Sequence, residues 1–152
     1  MQRSNHRGFT LVELLITLLV ASISLMLGVP SFVKFVDKNE LSSLSTEIVS
    51  TLQDARERAV SHDEPVTITQ QAKSISCVYQ DNGSDTACDG IDLSGTEVSL
   101  TRTGATGDII FEPSGMTNFD LILTVAHEDI ESHEYEIRIL RSGRISLKQK
   151  PI

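Results

Sequence analysis

A chain of 152 residues with 39% hydrophobic content has room for one domain, but 20 consecutive residues from Leu14 to Val33 carry no charge. Setting aside that run and its flanks leaves about 110 residues, too few for a large two-lobed enzyme. The formal net charge of −8, from 13 basic and 21 acidic residues, excludes a generic nucleic-acid coat and a basic membrane-surface protein.

In chain order, residues 1–8 (MQRSNHRG) are short and basic, and residues 9–64 read as helix. The first half of that helix, residues 9–36, is apolar, and the second, residues 37–64, is amphipathic. In the second half Leu41, Leu44, Ile48, Leu52, Ala55 and Ala59 recur at steps of three and four, which predicts one buried stripe. Gly28 and Pro30 predict a kink or local melting in the apolar half. Ser61-His62-Asp63-Glu64-Pro65 ends the helix, because a residue before proline is pushed out of the α region.

Residues 65–152 alternate instead. Val66–Thr69, Ile75–Tyr79, Thr96–Arg102 and Asp108–Glu112 are predicted strands. So are the stretches holding Leu121, Leu123 and Val125, then Tyr135, Ile137 and Ile139. Ser142-Gly143 supplies a turn into a last strand, Arg144–Lys148. The sum is α+β: one long N-terminal helix packed on a mostly antiparallel sheet.

The apolar run is long enough to cross a bilayer, which takes roughly 20 residues at helical rise. Arg3 and Arg7 ahead of it place the N-terminus in the cytoplasm and the C-terminal part outside. An acid inside such a run costs about 2.5–3.5 kcal/mol at the bilayer centre, and a plain anchor gains nothing from Glu13. An intramembrane carboxylate therefore points to a function, with a nearby cation as its partner.

Gly8-Phe9-Thr10-Leu11-Val12-Glu13, behind a basic lead and ahead of an apolar run, resembles the class III signal of type IV pilins and type II secretion pseudopilins. The resemblance implies a leader over residues 1–8, cleaved between Gly8 and Phe9 by the prepilin peptidase and N-methyltransferase, with Phe9 then methylated. It also implies that Glu13 neutralises the Phe9 amine of a neighbouring subunit and so sets the filament register. Pro30 is similar to the helix-interrupting proline of these proteins. Further along, Ala55–Val60 with Pro65–Ile68, then Phe111–Thr117, then Gly143-Arg144-Ile145, resemble the GspH/FimT group of minor pilins and pseudopilins. A pilin-like fold is the implied architecture.

Removing Arg3 and Arg7 with the leader leaves 11 basic and 21 acidic residues, or −10. Against that, Arg138–Lys150 holds five bases and no acid. In some FimT-like proteins, the resemblance implies, a C-terminal Gly-Arg-x-Arg motif captures DNA. Here Gly143-Arg144-Ile145 is followed by Ser146, and Arg141, Arg144, Lys148 and Lys150 are the candidate DNA contacts. The competing expectation is that these bases balance Glu134 and Glu136 across strands.

Cys77 and Cys88, with no CxxC spacing, are expected to pair in an oxidising periplasm, the alternative being two buried thiols. Asp81, Asp85 and Asp89 could be read as calcium ligands, but an EF-hand's alternation and final Glu are missing and a turn accounts for them. His127-Glu128 and His133-Glu134 lack the HExxH spacing of a zinc site, and Glu128–Glu131 reads as a solvated acidic loop. No nucleophile or phosphate-binding motif is present, so neither an enzyme nor a bound cofactor or metal is expected.

The reading is a minor pilin of a type IV pilus, anchored once in the inner membrane with its β-rich part in the periplasm. Its expected partners are the prepilin peptidase, other pilins and membrane lipid. The alternatives are a minor pseudopilin of type II secretion and a DNA-binding minor pilin for transformation.

Overall fold

The computed structural model of the chain describes residues 9–81, 83–128, 130 and 133–151. Arg3, Arg7, Gly8 and the rest of the expected leader lie outside them, as do Asp129 and Glu131 of the expected acidic loop. The chain divides into two compact units, residues up to Val36 and residues Asp37–Ile152.

The first unit consists of the start of helix α1, which runs Leu11–His62. Its described apolar side chains are all exposed, among them Phe9 at 89% and Phe32 at 67%. The helix is apolar and long enough for a membrane span. The melting expected at Gly28 and Pro30 is not seen, since the helix continues across both. Proline removes one ladder bond and its ring crowds the carbonyl four residues back, and the remaining bonds of the ladder carry the helix through.

In the second unit, α1 buries Leu41, Ser45, Ile48, Leu52, Ala55 and Ala59. Each large aliphatic side chain buried this way is worth roughly 1.5–3 kcal/mol. Leu44 is only half-buried, and Ser45 takes the core position beside it by donating its hydroxyl to the Leu41 carbonyl at 2.6 Å. The helix stops where Asp63 enters the left-handed region at φ 55°, two residues before Pro65.

Eight strands follow: β1 Val66–Gln71, β2 Ser74–Asp81, β3 Ser84–Asp92, β4 Val98–Gly104, β5 Ile109–Phe111, β6 Leu121–His127, β7 His133–Ile139 and β8 Ile145–Pro151. They form two four-stranded antiparallel sheets rather than one, in the orders β3-β2-β1-β5 and β4-β6-β7-β8. The chain leaves the first sheet for β4, returns for β5, then stays in the second. Both sheets and the helix stripe share one core, with Ile68, Phe111, Leu123 and Ile137 fully buried beside Leu52.

Candidate functional site

Thr10 caps α1 and Glu13 is the third residue inside it. The Thr10 backbone N–H and hydroxyl both donate to Glu13 Oε2 at 2.9 Å, and the Glu13 N–H donates back to Thr10 Oγ1 at 3.2 Å. This reciprocal pair is a capping box, which satisfies helix N–H groups that have no carbonyl partner. The Thr-x-x-Glu spacing was present in the sequence, yet the cost of an acid in the apolar run drew attention to a partner on another chain. In the single chain, Glu13 already has a partner.

Within the β-rich unit, two turns interlock. Residues Glu112–Met116 form a tight loop in which Gly115 N–H donates to the Glu112 carbonyl and Glu112 N–H to the Met116 carbonyl, both at 2.8 Å. The β7–β8 turn closes through Gly143 N–H to the Leu140 carbonyl at 2.7 Å and Leu140 N–H to the Arg144 carbonyl at 3.0 Å. Gly143 has φ 75°, and a Cβ there would lie 1.8 Å from the Gly115 carbonyl oxygen and 2.7 Å from Arg56 Nε. Arg56 Nε in turn donates to the Gly115 carbonyl at 2.8 Å. Thr117 completes the joint, giving its N–H to the Arg141 carbonyl at 2.9 Å and its hydroxyl to the Leu140 carbonyl at 3.1 Å. The Arg141 N–H donates to Asp120 Oδ1. Gly143 of the Gly-Arg pair is thus buried in a packing joint, while Arg144 beside it is exposed.

Among the described residues, two of the five bases between Arg138 and Lys150 are paired with acids of β7. Arg138 pairs with Glu136 at 3.1 Å, and Lys150 lies 3.8 Å from Glu134 and 3.7 Å from Glu136. Lys148 stands opposite Glu136 in the β7–β8 register. Arg141, Arg144 and Lys148 form no ion pair among the described residues. Exposed pairs of this kind are each worth at most about 1 kcal/mol.

Cys77 and Cys88 are joined by a disulfide between directly opposed positions of β2 and β3, with Cα atoms 5.0 Å apart. Asp81 and Asp85 flank the β2–β3 turn, and Asp89 lies further along β3. Among the described residues, no three His, Cys, Asp or Glu side chains are placed to share a metal ion. His127 is buried, and His133 opens β7.

Arg102 was missed by motif reading, although its parity with Val98 and Leu100 in β4 points it inward. Its guanidinium lies 5.1 Å from the centre of the Phe119 ring and donates through Nη1 to the Gly107 carbonyl. Burial pushes its pKa down, and the charge of Asp108 acts the other way. It pins the loop between β4 and β5.

A long N-terminal helix leading from an apolar segment into an antiparallel β-rich unit is the architecture of pilin-like subunits. The family model for the type II transport protein GspH matches residues 44–143, and that for the prokaryotic N-terminal methylation motif matches residues 3–29. The chain belongs to the GspH family. Among solved structures, the type IV minor pilin FimU of Pseudomonas aeruginosa is similar at 22% identity and a TM-score of 0.63, covering 75% of this chain and 92% of that one. The minor pseudopilin EpsH from the type 2 secretion system of Vibrio cholerae is similar at 12% identity and a TM-score of 0.58, covering 72% and 96%. These likenesses establish the fold. No curated protein sequence gives a match.

Proposed function

We propose that the chain is a minor pilin of a type IV pilus, processed between Gly8 and Phe9 and carried in the pilus tip or the complex that starts assembly. The observation that carries this is the methylation motif over residues 3–29, set on an exposed apolar helix with Glu13 in its first turn. In this reading residues 9–36 sit first in the inner membrane and then in the filament core, and residues 65–152 lie in the periplasm. Glu13 exchanges its capping contacts with Thr10 for the Phe9 amine of a neighbour. The Leu-Val-Glu-Leu-Leu and Val-Pro-Ser-Phe segments favour the pilus. The GspH family match favours the second reading, a minor pseudopilin of type II secretion.

Glu13→Ala tests both readings together: pilus or pseudopilus assembly is expected to be lost while the protein still accumulates in the membrane. Assembly at the normal level would overturn the register mechanism. Deletion of the gene separates the two, with lost twitching expected for the pilus reading and lost export of folded proteins for the other. Of the candidate DNA contacts, Lys150 pairs with Glu134 and Glu136, which supports a structural role for that base, while Arg141, Arg144 and Lys148 stay with the third reading, a DNA-binding minor pilin.

A further inference from the structure

The two sheets each end in a strand with an unpaired side, and the charges on two of those edges are opposite. β3 is an edge of the first sheet and β8 an edge of the second. From Ser74 to Asp92, which covers β2 and β3, there are four aspartates and no Lys or Arg. From Arg138 to Lys150, which covers the last two residues of β7, the turn and all of β8 but its last residue, there are five bases and no acid, while Glu134 and Glu136 lie earlier in β7 and pair with Arg138 and Lys150. Asp85, Asp89, Arg144 and Lys148 are all exposed. Of the bases, Arg144 and Lys148 are the two on or beside β8 that have no ion pair among the described residues.

An open edge strand can accept another strand through its free N–H and carbonyl groups. Like charges facing each other across such a pairing oppose it, and opposite charges favour it. A β3 edge therefore rejects a second β3, and a β8 edge rejects a second β8. Between these two charged edges, the pairing that charge favours is β3 against β8. We infer that the acidic β3 edge of one copy of this chain docks on the basic β8 edge of a second copy, in a head-to-tail contact. Such a contact joins two different surfaces, so it builds a ring or an open chain of subunits rather than an isologous pair. The inference is independent of which filament the chain serves.

The full-length chain in detergent tests this by sedimentation velocity at about 20 mM and about 500 mM salt, since screening shortens the reach of charge to a few Å at the higher value. Salt-sensitive association is expected at low salt, lost at high salt. The variant Arg144→Glu with Lys148→Glu is expected to remain single, as is Asp85→Lys with Asp89→Lys. An equal mixture of the two regains association, because each now carries the edge the other lacks. Wild-type protein that stays single at low salt, association that either variant leaves unchanged, or a mixture that stays single would each overturn the inference. If charge reversal lowers the melting temperature, the neutral pair Arg144→Gln with Lys148→Gln gives the same reading. Glu13→Ala is expected to leave this association intact, so failure of the edge contact and failure of the filament reading are told apart.

Discussion

Gly143 shows how tightly single residues are held at the joint between the two turns. Its φ of 75° is strained for any L side chain, and a Cβ would collide with the Gly115 carbonyl and Arg56. Gly143→Ala is expected to cost more than about 3 kcal/mol, placing it among the severe single substitutions. Gly95→Ala, where a Cβ meets nothing within 4 Å, is the matched control and should stay within about 0.5 kcal/mol of the parent in urea melts. Asp92 gives a pH effect. Its carboxylate accepts the Ser94 N–H at 2.9 Å, and that bond holds its pKa below the usual range. The folded state then binds fewer protons than the unfolded one in the acid range, so stability rises with pH. The contribution is full above the unfolded value near pH 4 and fades as pH falls through the folded one. Asp92→Asn should flatten the acid limb of the stability profile, read by thermal melts between about pH 2 and pH 5. An unchanged limb would assign that slope to other carboxylates.

At the scale of elements, the sequence was legible where a period was clean. The stripe through Leu41, Ile48 and Leu52 located the buried face of α1, and Leu121, Leu123 and Val125 located β6. β3 was not legible: Ser-Asp-Thr-Ala-Cys-Asp-Gly-Ile-Asp is rich in turn formers, and only its pairing with β2 makes it a strand. The division into two sheets was hidden for a similar reason. β4 and β5 are separated by four residues yet pair in different sheets, and alternation says which face is buried but not which strand is the neighbour. The Thr10–Glu13 box was legible and the Gly115–Gly143 contact was not, because one lies within four residues and the other joins turns far apart in sequence. The disulfide ties β3 to the sheet it is least suited to join by composition. Replacing Cys77 and Cys88 together by Ser removes a closed loop worth about 3 kcal/mol in the chain-entropy model. A fall in the melting temperature is expected, with protection of β3 amides from hydrogen exchange lost first.

For the whole molecule, the division at Val36 falls between an apolar unit with no buried side chain among its described residues and a unit with its own core. The apolar side chains before it are exposed, and the core after it is complete without them. A chain beginning at Asp37 is therefore expected to partition into the aqueous phase of a detergent phase separation, while the full chain enters the detergent phase. Recovery of the shorter chain only in the detergent phase would mean that residues after Asp37 bind detergent on their own.

The joint at Gly115 and Gly143 also bears on how such a surface can change over generations. The glycine answers to a carbonyl oxygen inside the fold, whereas the arginine next to it answers only to what lies outside. A lineage can therefore keep the hinge-like seat and exchange the charge mounted on it, so that one scaffold accepts cationic, neutral or acidic tips without being rebuilt.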